Sequence, residues 1–295
     1  MDGHDWLAAR FESHRGHLLA VAYRMLGSLG EAEDAVQESW LRLSRVEADG
    51  IGNLAAWLTT VVSRVCLDML RSRRSRAEEL VGQQVSDRVR EADRSVDDPE
   101  QEAVLVDSVG RALLVVLDRL APAERLAFVL HDLFAVPFDQ IAPIVERTPV
   151  TTKKLASRAR QRVRGASALP DAELAQHREV VEAFLAASRG GDLRALLTVL
   201  APDVVRRADP ALLPPGAPVV VRGAAAVARE TMVLGRRARW AEPALVNGAV
   251  GILVAPQGRL LLVLTVEVRG DQVAGYEVIA DPARLPLLDL SVLPG

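Results

Sequence analysis

At 295 residues the chain has room for two or three domains, and 49% hydrophobic against 25% charged residues is an ordinary balance for packed domains in water. The 36 basic and 39 acidic side chains nearly cancel to a net charge of −3, but they are segregated into blocks, so the total does not argue against nucleic acid. One cysteine, Cys66, excludes an internal disulfide and a cysteine-rich zinc site. The polar amino terminus carries no apolar signal-peptide core and no run approaches a membrane span, so a cytoplasmic protein without a resident metal is expected.

The first helix is predicted from about Asp5 to Leu26, with Leu7, Phe11, Leu18, Ala22 and Met25 among its apolar positions. Gly27-Ser28-Leu29-Gly30 breaks it, and Ser28 with Glu31 has the spacing of a capping box. In the next helix Ala32, Val36, Trp40 and Leu43 form a buried seam. Glu31, Glu33, Asp34, Gln37 and Glu38 give it an acidic, amide-bearing surface. The helix dipole accounts for Glu31 and Glu33 at its start. Asp34, Gln37 and Glu38 extend past the first turn, where either a solvated face or the docking of a basic protein partner fits. A third helix, from about Asn53 to Arg74, has Leu54, Leu58, Val61, Val62, Val65 and Met69 on its core side. Cys66 lies on this apolar stretch and reads as a small core residue. Trp57, Thr60, Arg64, Asp68 and Arg71 face elsewhere, and Arg71, Arg73, Arg74 and Arg76 exceed what a helix end requires, which favours phosphate contact.

From Asp87 to Glu102 seven acids and three arginines make an acidic linker. It reads equally as a solvated tether or as a negative segment for a basic channel. Further on, Phe138, Ile141, Ala142 and Val145 recur at helical spacing, and Thr148-Pro149 is a start signal for a second helix. There Thr152, Ala156, Ala159 and Val163 fall on one side. Thr151, Lys153, Lys154, Ser157, Arg158 and Gln161 fall around the other. The chain's only two lysines lie here, and Thr151 to Arg164 holds six basic residues and no acid. A helix-turn-helix that enters the major groove needs this division: a small apolar back, and a cationic, hydrogen-bonding front.

After Ser167-Ala168-Leu169-Pro170 a separate module begins. A helix is expected over His177–Arg189, and Asp192 caps a shorter one through Leu200. Val204-Val205 and Val219–Val221 read as strands around a proline-rich insert, and Gly223–Arg236 as a helix. Arg239–Val246, Gly248–Val254, Gly258–Val268 and Gln272–Ile279 read as a strand meander. Strict alternation over Leu260–Val268 turns Glu267 away from the apolar face.

These stretches carry a resemblance. GEAEDAVQESWLRL, AWLTTVVSRVCLDMLRSRRSR and the run from LDRLAPAERLAFVLHDLF through TTKKLASRARQRVR resemble, in order and spacing, regions 2 and 4 of bacterial extracytoplasmic-function sigma factors. The resemblance covers about Trp6 to Gly165. It implies that Asp34, Gln37, Glu38 and Leu41 dock on the coiled coil of core RNA polymerase. It implies that Asn53, Trp57, Thr60, Arg64, Arg71 and Arg74, with the loop from Arg45, engage the melted minus-ten element. Thr151, Lys153, Lys154, Ser157, Arg158 and Gln161 would read the minus-thirty-five element, and Leu117 to Phe134 would sit on the polymerase flap. Melting would draw on binding energy alone, since no nucleotide-hydrolysing motif is present; no cofactor is expected.

EAFLAASRGGDLRALLTVLAPDVV is similar to the opening of the SnoaL-like, ketosteroid-isomerase-like superfamily. The whole chain thus resembles sigma factors with a fused SnoaL-like domain, understood to regulate the sigma core in cis. Asp281-Pro282-Ala283-Arg284-Leu285 stands where that family has its Asn-Pro-Asp-Lys-Leu-type tail. Two motifs depart from the family: Trp-Leu-Pro-Glu-Pro is missing after Val81-Gly82, and Asp209-Pro210-Ala211 replaces Asp-Gly-Gly. The superfamily's chemistry directs attention to Asp203, Asp209, Glu267, Tyr276 and Glu277, but no acid–base pair stands out, and His177 reads as a surface cap. The expected organisation is multidomain: all-α region 2 (1–78), an acidic linker (79–103), region 4 with its helix-turn-helix (104–167), a linker (168–176), and an α+β SnoaL-like cone (177–295) with room for a small ligand. A DNA-bound ligand sensor that never joins polymerase is the alternative, and an enzyme fused to a DNA-binding module is disfavoured.

Overall fold

The computed structural model describes residues 3–46, 51–79, 110–213 and 216–294. The expected 79–103 linker beyond its first residue, the site of the missing Trp-Leu-Pro-Glu-Pro motif and positions 47–50 of the Arg45–Asn53 loop lie outside those residues. The chain forms two compact units. One holds the amino-terminal helices and Leu117–Gln161; the other holds Gly110–Val116 and Arg162 onward.

In the first unit, α1 (Gly3–Leu26), α2 (Leu29–Leu43) and α3 (Leu54–Glu79) pack against one another. The apolar stripes read from the sequence form this core: Leu18, Ala22, Met25, Ala32, Val36, Leu43, Leu58 and Val62 are all buried. Met69 is only half-buried, whereas Leu67 and Leu70 are inside. Trp40 sits at the margin with its ring 5.1 Å from that of Phe11. Ser28 is the α2 cap by position, but its side chain makes no capping bond. The expected capping box is absent because Glu31 has another use: its carboxylate accepts from Arg73 Nε of α3 at 2.9 Å. Asn53 caps α3, its Oδ1 accepting from Ala56 N at 3.1 Å. Burial pushes the Cys66 thiol up to about 12, in keeping with a core residue.

Beyond the undescribed stretch come α4 (Arg111–Asp118) and α5 (Pro122–Phe128), the latter running into a π-helical turn at Val129–Leu133. α5 packs on α3, and the π turn reaches α1. Arg125 is enclosed there, donating from Nε to the Arg24 carbonyl at 3.3 Å and from Nη1 to Asp118 at 3.2 Å. The first helix of the predicted helix-turn-helix is shorter than expected. α6 spans only Phe138–Ile141, and the chain continues in turns because Pro143 has no N–H to extend the ladder. The stripe survives the shortening, with Ile141, Ala142, Ile144 and Val145 buried and Phe138 stacked on His131. α7 then runs from Pro149 to Arg164.

The second unit is α+β. α8 (Asp171–Gly190) begins inside the segment expected as a linker, so His177 lies within the helix, 3.8 Å from Glu173, rather than capping it. Asp192 caps α9 (Leu193–Val199), accepting from Arg194 N and Ala195 N as predicted. Seven strands follow: β1 (Leu200–Ala208), β2 (Val220–Arg222), β3 (Ala241–Val246), β4 (Ala249–Val254), β5 (Leu262–Arg269), β6 (Gln272–Ile279) and β7 (Leu290–Ser291), with α10 (Ala224–Leu234) between β2 and β3. Their order in the sheet is β2-β1-β6-β5-β4-β3-β7. The meander β3 to β6 is antiparallel throughout, and β1 joins it parallel to β6. α8 lies across β3 to β6, and its Val181, Phe184 and Leu185 close the core with Leu196, Val204, Val227, Ile252 and Val273. The last turn of α7 belongs to this unit. Val292 N donates to the Val163 carbonyl at 2.8 Å, and Gly165, with φ of 58°, stands so close to Ser291 that a Cβ would overlap it.

Candidate nucleic-acid and polymerase interface

α7 is built from its cap outward. Thr148 Oγ1 accepts from Thr151 N at 3.2 Å and Pro149 occupies the first turn, so the helix starts where the sequence places it. Thr152, Ala156, Ala159 and Val163 are buried beneath it. Lys153, Lys154, Ser157, Arg158 and Gln161 are all exposed, and Thr151 is half-exposed with its hydroxyl 3.0 Å from that of Thr148. At 100° per residue, positions 154, 157, 158 and 161 share one side of the helix. Two hydrogen-bonding side chains thus alternate with two cations along this side, a set suited to base edges and phosphates. Arg160 is set apart, with Nε 2.5 Å from Asp132.

α3 presents a second stripe. Asn53, Trp57, Thr60, Arg64 and Arg71 fall within about 60° of one another around a helix of 3.6 residues per turn. Asn53, Arg64 and Arg71 are exposed, while Trp57 and Thr60 are half-buried, with the Thr60 hydroxyl donating to the Ala56 carbonyl at 2.9 Å. Arg71 is 3.8 Å from Asp68 on the surface, an arrangement that leaves its guanidinium accessible. The side chain of Arg74 lies outside the described residues. Arg73, expected in the same cationic cluster, is turned inward to Glu31 and to the Leu26 carbonyl, which it meets at 3.0 Å. It pins α3 to α1 and α2. Local composition could not separate it from its neighbours, because its partner lies 42 positions away.

On α2, Asp34 and Gln37 are exposed, and Leu41, an apolar side chain, is left 42% exposed at the end of their row. Glu38 is half-exposed and paired with Arg42 at 2.9 Å. An acidic and amide row ending in an exposed leucine combines charge that can orient a partner with an apolar group that can be buried.

In the second unit the acids singled out for catalysis disperse. Asp203 meets Arg269 on the surface at 3.2 Å, Glu267 is exposed on β5, and Glu277 accepts from Arg284 Nη2 at 2.7 Å. Asp209 is structural. Its Oδ2 accepts from Ala280 N at 2.8 Å and Asp281 N at 3.0 Å, and its Oδ1 from Arg284 Nη1 at 2.6 Å. Burial alone would raise this carboxyl, but the N–H groups of Asp281 and Ala280 and the Arg284 guanidinium together hold it below the usual carboxylate range. The tail motif is therefore clasped: Arg284 is forked between Asp209 and Glu277, Asp281 Oδ1 accepts from Ala283 N at 2.8 Å, and Leu285 is buried. Tyr276, the fifth candidate, lines a cavity of the second unit.

The helical segments match two protein families along the chain: Sigma-70 region 2 over residues 10–76 and Sigma-70, region 4 over residues 110–163. Two sigma regions in this order define a transcription initiation factor of the sigma-70 class, which is not a class of enzymes. The chain is 35% identical over 294 residues to the probable ECF RNA polymerase sigma factor SigI of Mycobacterium tuberculosis, covering 97% of each. It is 40% identical over 258 residues to the ECF RNA polymerase sigma factor SigJ of the same species, covering 84% of this chain and 80% of that one. The crystal structure of M. tuberculosis SigJ aligns over 94% of this chain and 98% of its own, at 33% identity and a TM-score of 0.45. The protein belongs to the ECF sigma factor family.

Proposed function

We propose that this chain joins core RNA polymerase in the cytoplasm and brings it to a defined set of promoters, with each of its surfaces taking one part of the task. The α2 row of Asp34, Gln37, Glu38 and Leu41 docks on the polymerase. The α3 stripe of Asn53, Trp57, Thr60, Arg64 and Arg71, continued by Arg74, holds the melted minus-ten strand, where an aromatic ring beside guanidinium groups suits an unstacked base. The exposed side of α7, from Thr151 to Gln161, reads the minus-thirty-five element. The cone regulates in cis through the Asp281-Pro282, Arg284 and Leu285 tail, and its cavity takes a small ligand.

The division of α7 carries this reading: four small or apolar side chains inside, and five polar or cationic ones outside without an acid among them. The experiment is reconstitution of the full-length protein with core polymerase on fragmented genomic DNA, with transcript starts mapped by sequencing. Asp34→Arg is expected to weaken core binding at least about tenfold while leaving the melting temperature unchanged. Lys154→Ala with Arg158→Ala should keep core binding, lose promoter-specific starts, and lower the salt dependence of promoter binding by roughly 0.9 per phosphate contact removed. A folded full-length protein that never binds core polymerase would return the reading to a DNA-bound sensor.

A further inference from the structure

The sheet and helices of the second unit surround a cavity of about 150 Å³. Cores of natural domains hold few voids larger than a water molecule, so a space of this size is a feature to be accounted for. Apolar side chains, Phe184, Ile252, Val254, Leu262 and Leu264 among them, make most of its wall, and the polar side chains are confined to Ser188, Arg206, Glu230, Thr231 and Tyr276.

The hydrogen bonds of those polar groups decide what can enter. Arg206 is buried with its fork committed: Nε donates to Glu230 at 3.0 Å, Nη2 meets the same carboxylate, and Nη1 donates to the Pro218 carbonyl at 3.1 Å and the Val219 carbonyl at 3.3 Å. Four of its five N–H groups are thereby engaged within the protein, and its charge and that of Glu230 offset each other. Ser188 gives its proton to the Phe184 carbonyl at 2.7 Å. Thr231 gives its own to the Val227 carbonyl at 2.9 Å, so the 3.0 Å contact between Thr231 Oγ1 and Tyr276 Oη has the tyrosine as donor. Tyr276 Oη then keeps its acceptor capacity, and none of these hydrogen bonds is donated to it. The Phe184 ring lies 5.5 Å from that of Tyr276, tilted by 51°, so one wall is aromatic.

We propose that the cavity is a binding site for a small neutral aromatic alcohol, a phenol-sized molecule whose ring lies among the apolar wall residues and whose hydroxyl donates to Tyr276 Oη. This rests on the reading above that the cone takes a small ligand. Size favours it, because an apolar cavity of about this volume is known to admit benzene. Charge excludes the obvious competitors: a carboxylate or an amine would leave water without a free counter-charge to meet. A plain hydrocarbon would fit but would leave the Tyr276 acceptor unused.

The test uses the full-length protein with p-cresol, toluene and benzoate as probes, followed by calorimetry and by thermal unfolding. p-Cresol should bind about tenfold more tightly than toluene, the worth of one well-placed hydrogen bond, and benzoate should not bind. Tyr276→Phe should bring p-cresol down to the toluene value with the toluene value kept. Val254→Phe, which places a ring in the cavity, should abolish both without lowering the melting temperature. Equal affinity of p-cresol and toluene for the wild type would overturn the alcohol assignment and leave the small-ligand reading standing. Tight binding of benzoate would overturn it in favour of an anion site. No binding of any probe to a protein whose melting temperature rises in Val254→Phe would overturn both, because the cavity would then be a packing defect.

Discussion

Asp209 shows how much one carboxylate can organise. It accepts from two backbone N–H groups and a guanidinium, and all three belong to a segment more than seventy positions later. Replacement by Ala would strand the buried Ala280 N–H and release Arg284, and is expected to cost about 1–3 kcal/mol, read as a lower denaturation midpoint of the second unit. Because the folded carboxyl titrates below the usual range, its contribution is complete at neutral pH, above the unfolded-state value near 4, and is lost as the pH falls through the folded value. The gap between wild type and Asp209→Ala should accordingly be full at pH 7 and close in acid; a gap that widened in acid would contradict the clasp. From the sequence Asp209 is only a departure from the family's Asp-Gly-Gly and one of several acids weighed for catalysis. Its bonds span a separation that no local pattern registers, and the same is true of Arg73 and Glu31. Residues whose role depends on a neighbour in the chain, such as Asp192 at its cap or Cys66 in its apolar run, are readable directly.

At the level of elements, periodicity locates helices well and their ends less so. α7 is legible at every point: the Thr148 cap, the proline after it, the buried Thr152-Ala156-Ala159-Val163 side and the exposed cationic one. α6 is legible as a stripe but not in length, since its apolar spacing runs on past Pro143 while the hydrogen-bond ladder is interrupted there and resumes only as isolated turns. β7 is two residues long and borrows its partner from β3, too little pattern to be read in advance. The start of α7 offers a direct check on its cap. Thr148→Ala removes the acceptor for Thr151 N and is expected to destabilise the helix by about 1 kcal/mol. Promoter affinity should fall with it, since the first turn carries Thr151, Lys153 and Lys154, and Thr148→Ser should restore both. Loss of affinity with unchanged stability would instead mean that Thr148 touches DNA itself.

For the molecule as a whole, the consequential contact is Arg125. Its side chain is 2% exposed; it bonds to the Arg24 carbonyl of α1 and to Asp118, and its Nη2 finds no hydrogen-bond partner among the described residues. Burial lowers the pKa of this guanidinium despite the Asp118 charge beside it. A helix of region 4 is thereby seated on region 2 through a cation that is imperfectly paired. Promoter elements about 25 base pairs apart lie roughly 85 Å apart on B-form DNA, at 3.4 Å per step. Two regions in bonding contact would not span both, so the proposed reading of both elements requires α5 to leave α1. Arg125→Met, which fills the same space without a charge, is expected to leave the fold as stable or more stable, by up to about 4 kcal/mol, and to slow association with core polymerase. Slower amide exchange at the end of α1 would accompany it; a variant that unfolds more readily and associates at the wild-type rate would contradict this account. The seat is self-releasing in its chemistry, because water reclaims the guanidinium the moment the helices part. That hydration offsets part of what the separation loses, and polymerase need supply only the remainder.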